Sequence, residues 1–202
     1  MKEKTVFLTT LSIFSSLDME VTRMLLGFTA YILIPAYTIL FVQGSNWFTT
    51  NFSVIGNRVG RQEAFVLWGL LVGIYFFYSL RIIVSRMSAS PAGTWLIPLA
   101  LILLSCAVVT PYLPETLPLR STLHIMFSFM AAVCLVLCLW IILWKLYLND
   151  TKKYRPYLTG LAGIAGFSLF LLALAGIVSS ALEIFFTITS AIMVRRLYLS
   201  LT

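Results

Sequence analysis

The sequence predicts an all-α integral membrane protein with six transmembrane helices and both termini in the cytoplasm. Three observations carry this. Of 202 residues, 60% are hydrophobic and only 10% charged, whereas a soluble domain averages roughly 25% charged. The mean hydropathy is +0.99, too high for a water-facing shell. And the apolar residues fall into six runs: Met24–Val42, Ala64–Val84, Trp95–Thr110, Leu123–Trp144, Tyr157–Leu174 and Ile177–Val194. Open backbone groups are not tolerated in hydrocarbon, so runs of this length read as helices and not as strands.

The first run contains Pro35, which predicts a kink. The third is short for a span. The fifth opens with Gly160, Ala162, Gly163, Ala165 and Gly166, a smooth strip of the kind that lets helices approach closely. Its expected neighbour is the sixth run, reached through the turn "GIVSS" from Gly176 to Ser180. Cys106, Cys134 and Cys138 all lie inside apolar runs, without a C-x-x-C, and read as small packing residues. The whole chain, 1–202, forms one six-helix membrane domain. Residues 1–22 read as a cytoplasmic interfacial segment, with Phe7, Leu11 and Phe14 on one side, and not as a cleaved signal, because no A-x-A-like site follows.

Orientation follows from the basic residues. With the N-terminus inside, Lys2, Lys4, Arg23, Arg81, Arg86, Lys145, Lys152, Lys153, Arg155, Arg195 and Arg196 are cytoplasmic, and only Arg58, Arg61 and Arg120 are outside. The net charge of +7 is therefore membrane topology. It does not point to nucleic acid, since the basic residues form no stripe between aromatics. The expected location is the cell membrane, as a multi-pass protein, with the lipid bilayer as its partner.

One outside stretch departs from the apolar background. "NFSVIGNRVGRQE", Asn51 to Glu63, packs two Asn, a Ser, a Gln, two Arg, a Glu and two Gly between the first and second runs. Its Phe52, Val54 and Ile55 predict that it folds back over the bundle. His124, the single histidine, opens the fourth run, with Ser128 four residues on and on the same face. Glu183 lies in the outer third of the sixth run. Ser180-x-x-Glu183 also matches a capping box, and Glu63 stands in a first helical turn, where the helix dipole favours a carboxylate. Asn51-Phe52-Ser53 is a glycosylation sequon.

Ser53, Asn57, Arg58, Arg61, His124 and Glu183 map to one depth on the outer side. Ionisable groups in a membrane face a bundle interior or a wet cavity. The expectation is an outward-facing polar pocket that binds a lipid headgroup or an amphipathic small molecule. Arg58 and Arg61 would attract its anionic part, and Ser53, Asn57 and His124 would orient it. Glu183 would pair with His124 or Arg61. The competing class is an intramembrane lipid hydrolase or acyltransferase with Ser53 as nucleophile and His124 as base. A third is the substrate-binding subunit of a multi-subunit transporter. No cofactor is implied. A catalytic zinc needs about three protein ligands, and one His with no Asp in the spans does not suggest one.

Three features in order carry a family resemblance: "SVIG" (Ser53 to Gly56) in an outside loop, "FVLWGLLVGIYFF" about ten residues later, and "LHIMFSFMAAVCL" opening the fourth run. Together they resemble the bacterial six-helix membrane family catalogued as domain of unknown function nine-nine-eight, and its DRAM- and FRAG-type relatives. The resemblance covers roughly Met24 to Trp144. It implies a six-helix fold, selects Ser53, Gly56 and His124, and carries no reaction with it.

Overall fold

The computed structural model describes residues 20–58, 60–88 and 91–201. Every regular element among them is helical. In chain order these are α1, Glu20–Phe41; the short α2, Phe52–Arg58; α3, Gln62–Ser85; α4, Leu96–Val109; α5, Pro118–Asn149; α6, Thr151–Ala175; and α7, Ser180–Ser200. The interfacial segment expected near the N-terminus lies outside the described residues.

Four helices, α1, α3, α5 and α6, are long and apolar enough to cross a membrane. Of the other two expected spans, α4 has 14 residues, a rise of about 21 Å. α7 has 21 residues but carries Glu183 near one end and Arg195 and Arg196 near the other. The bundle wears its apolar side chains outward: Ile74, Ile102, Val109, Leu169 and Phe170 are all exposed. Contiguous apolar surface of this kind suits lipid and not water.

α3 is the central strut. Its buried face includes Trp68, Gly69, Val72, Gly73, Tyr75, Phe76 and Leu80. Gly69 and Gly73, four residues apart, let α4 approach closely: a Cβ on Gly69 would stand 2.5 Å from Cγ2 of Val108, and one on Gly73 2.8 Å from Cδ1 of Leu101. This is the small-xxx-small device of helix pairs in lipid.

The glycines of α6 do something else. Gly160, Gly163 and Gly166 are exposed, and a Cβ on any of them would meet no heavy atom within 4 Å. The expected packing strip faces outward, while Leu161, Ile164 and Leu171 form the inward face of α6. The reason is phase. In a helix the inward stripe is set by residues three and four apart, and here the large side chains at 161, 164 and 171 hold the inner stripe.

α1 changes pitch near its proline. Thr29–Leu33 form a π turn, and Ile34 N–H donates to the Thr29 carbonyl. Pro35 follows immediately. It has no N–H to give and its ring presses on the preceding turn, and a widened turn relieves both. Pro156 falls in the second turn of α6, where it forfeits one helical hydrogen bond close to the helix end.

Candidate functional site

The connection from α1 to α3 folds down, as its apolar content predicts. α2 buries Phe52 and Ile55 completely. Phe52 packs edge-on against Phe41 at 5.4 Å and Trp68 at 4.9 Å between ring centroids, and Phe65 stacks on Trp68 at 6.0 Å. Gly56 permits this approach, since a Cβ there would lie 2.9 Å from Cβ of Phe65. Gly60 turns the chain into α3 at φ +74°, a conformation side-chain-bearing residues avoid.

α2 is capped from within. Asn51 Oδ1 accepts from the Val54 N–H at 2.8 Å, the usual work of an N-cap asparagine. Next to it, the Phe52 N–H donates to a carboxylate oxygen of Glu183 at 2.7 Å. The start of α7 answers in kind. Ser180 N–H and Oγ–H donate to the Thr50 carbonyl at 2.7 and 3.0 Å, and the Ala181 N–H donates to the Trp47 carbonyl at 2.8 Å. Loop carbonyls thus fill the open donors at the α7 N-terminus. The N-cap itself is Ser179, whose Oγ accepts from Leu182 N–H. This replaces the capping box expected at Ser180: Glu183 reaches across to α2 instead of back to its own helix.

These ties place Ser53, which is 7% exposed, against His124, which is 2% exposed. Ser53 Oγ lies 2.5 Å from Nε2 of His124. On the other side of the ring, Nδ1 lies 2.8 Å from the Ala107 carbonyl and 2.9 Å from the Thr110 carbonyl. Carbonyls only accept, so Nδ1 carries the proton. In the neutral ring Nε2 is then the acceptor, and the Ser53 hydroxyl donates to it. The α4 C-terminus supplies the two carbonyls; that of Ala107 also accepts from the Thr110 N–H at 3.1 Å, and a carbonyl has two lone pairs to share.

The imidazole sits between two rings. Phe65, buried, is 6.3 Å away between centroids, and half-buried Tyr112 is 5.6 Å away. Tyr112 belongs to the connection between α4 and α5. That segment is stiffened by Pro111, Pro114 and Pro118 and pinned where Leu113 N–H donates to Ser121 Oγ at 2.9 Å. Ser128 turns its hydroxyl to the carbonyls of His124 and Ile125.

Of the remaining sequence candidates, Asn57, Arg61 and Glu183 bond to backbone groups. Asn57 Nδ2 donates to the Ser53 carbonyl at 3.0 Å. Arg58 is the last residue of α2. Arg61 Nη1 donates to the carbonyls of Phe41 at 2.9 Å and Gln43 at 3.1 Å, so it closes the end of α1. The expected pairing of Glu183 with His124 or Arg61 is replaced by the bond to Phe52. The reason is the same throughout: buried helix ends have open backbone groups, and these side chains satisfy them. Glu63 is exposed at the first turn of α3.

Fold and site together define a class: a helical bundle with four helices long and apolar enough to cross a membrane and a buried, tautomer-fixed Ser–His pair under a folded-back loop. Comparison with family models, curated proteins and solved structures finds no match to this chain.

Proposed function

We propose that this chain is a six-span protein of the cell membrane, with cytoplasmic termini, in which Ser53 and His124 act as nucleophile and base in acyl transfer. The substrate class is an ester-bearing amphipathic lipid of the outer leaflet, and the acceptor is water or an alcohol. In this reading α4 and α7 complete the six spans, and the eleven cytoplasmic basic residues against three outside set the orientation. Kinship with the six-helix family named above is part of the same proposal.

One observation carries the reading: Ser53 Oγ is bonded to Nε2 while Nδ1–H is held by two carbonyls. A serine is a weak nucleophile unless a base takes its proton, and a base works best when its other nitrogen is fixed. Here carbonyl oxygens hold the tautomer and the ring's orientation, as an Asp does in a triad, without the Asp's negative charge. Ser53 Oγ would attack the acyl carbonyl carbon as its proton passes to Nε2. The same proton would then go to the departing alcohol oxygen, leaving an acyl ester on Ser53. Deacylation repeats the sequence with water or a second alcohol as attacker. Tyr112 is the more exposed of the two rings beside the imidazole, and its displacement would open a way to the His124 ring.

The headgroup-binding reading finds less support. Asn57, Arg61 and Glu183 each direct polar atoms at backbone groups, which ties the loop down and leaves fewer donors for a ligand.

A long-chain fluorophosphonate probe tests the proposal on the whole protein in lipid nanodiscs. Labelling should map to Ser53 and disappear in Ser53→Ala and in His124→Gln. Absence of labelling in folded wild-type protein at millimolar probe would overturn it.

A further inference from the structure

The opposite end of the bundle holds a second polar cluster, away from Ser53 and His124. Arg195, on α7, is 6% exposed. Gly27 of α1 makes room for it: a Cβ there would stand 3.2 Å from Nη2 of Arg195 and 3.4 Å from Nε. Three residues further along α7, Tyr198 is 1% exposed, with its ring centroid 5.1 Å from Cζ of Arg195. Arg86, the C-cap of α3, places its own Cζ 4.5 Å from the same centroid and donates from Nη2 to Tyr198 Oη at 3.2 Å.

Two guanidinium groups therefore share one buried aromatic ring. Contact with the ring engages the faces of the cations. Their N–H donors point outward in the guanidinium plane and need acceptors of their own. Among the described residues those acceptors are missing: Nε and Nη1 of Arg195 and Nη1 of Arg86 are buried without a hydrogen-bond partner there. Guanidinium does not give up its proton under ordinary conditions, so the charge cannot be shed. Buried charge without a partner is among the least tolerated features of a fold, and in a membrane protein it marks a functional site.

We infer that Arg195 and Arg86 hold a phosphate-bearing anion between α1, α3 and α7. Three open donors on two helices call for several acceptor oxygens on one centre. Phosphate supplies these in the geometry that planar guanidinium forks recognise. The anion is either the headgroup of a phosphomonoester lipid or free phosphate.

Full-length protein in neutral detergent is titrated with dimyristoyl phosphatidic acid by native mass spectrometry, with dimyristoylglycerol as the phosphate-free control. Inorganic phosphate is titrated in parallel by thermal shift. One phosphatidic acid should remain bound, diacylglycerol should not, and Arg86→Gln and Arg195→Gln should each weaken retention by at least about tenfold. A lipid source gives that result with little response to inorganic phosphate. A free-phosphate source gives a rise in melting temperature that both variants lose. Ser53→Ala should behave as wild type in both arms, which separates this site from the acyl-transfer pair. Arg86 is half-buried, so Arg86→Gln decides the matter if Arg195→Gln does not fold. Wild-type protein that takes up neither probe, or an Arg86→Gln variant that takes up as tightly as wild type whichever probe wild type binds, would overturn the inference.

Discussion

The carboxylate of Glu183 and the backbone N–H of Phe52 meet at 2.7 Å across 131 positions of chain. The bond joins α7 to α2 one residue before Ser53, so the position of the nucleophile depends on a side chain of the last helix. Glu183→Gln keeps an acceptor and should hold α2 in place. Glu183→Ala strands a donor at a cost of about 1–3 kcal/mol. The Ala variant should therefore melt lower than the Gln variant, and equal melting temperatures would show that the bond does not hold the loop.

His124 should show one tautomer. Nitrogen-15 NMR of histidine-labelled protein should report a protonated Nδ1 and an unprotonated Nε2 at neutral pH, because two carbonyls face Nδ1. The opposite tautomer would contradict the assigned roles of Ser53 and His124.

Close packing should be sensitive on α3 and insensitive on α6. Gly69→Leu collides with Val108, already 2.5 Å from a modest Cβ, and should abolish folding or cost several kcal/mol (overpacking by even a methylene costs about 1–3 kcal/mol). Gly163→Leu enters open space and should change the melting temperature little. Leu171, buried on α6, should lose about 2–5 kcal/mol or somewhat less on truncation to Ala. Thermal denaturation in one detergent ranks all three.

Topology is open to labelling. Asn46 and Thr116 are exposed at one end of the bundle, and Ser88 and Thr151 are exposed at the other. Cysteines at Asn46 and Thr116 should react with an impermeant maleimide on intact cells, and those at Ser88 and Thr151 only after lysis. The reverse pattern would put Ser53 and His124 on the cytoplasmic side.

Sequence alone exposes the helical class, because long apolar runs are a period-independent signal. It also exposes the burial of the Asn51–Glu63 stretch, through Phe52 and Ile55, and the candidacy of Ser53 and His124, through their shared depth. It does not expose partners. Arg61 ends on the Phe41 and Gln43 carbonyls, and Glu183 on Phe52 N–H. Backbone acceptors and donors at helix ends leave no mark in the residue letters. The α6 glycines mislead for another reason: a small residue is equally at home against a helix or against lipid, and only the position of its large neighbours separates the two. The signal that could have located the true close approach was Gly69-x-x-x-Gly73. The Arg86–Arg195 pair was hidden because arginines at helix ends are explained equally well by orientation.

The π turn of α1 sets the phase of that helix. Its inward residues are Leu26, Ala30, Ile34 and Thr38, each four positions after the last. At 3.6 residues per turn, a four-residue step overshoots by about 40°, so a uniform α-helix would rotate this stripe away from its neighbours. The wider turn at Thr29–Leu33 winds part of that rotation back. Removing one residue from the turn would restore a regular ladder and swing everything N-terminal to it by about 100°. Gly27 would leave the Arg195 guanidinium, while Trp68 Nε1–H would still donate to Thr38 Oγ1, at 3.1 Å in the native packing. One inserted residue thus acts as a clutch between the two ends of the protein, fixing how the Arg195 cluster is oriented relative to the Ser53–His124 pair.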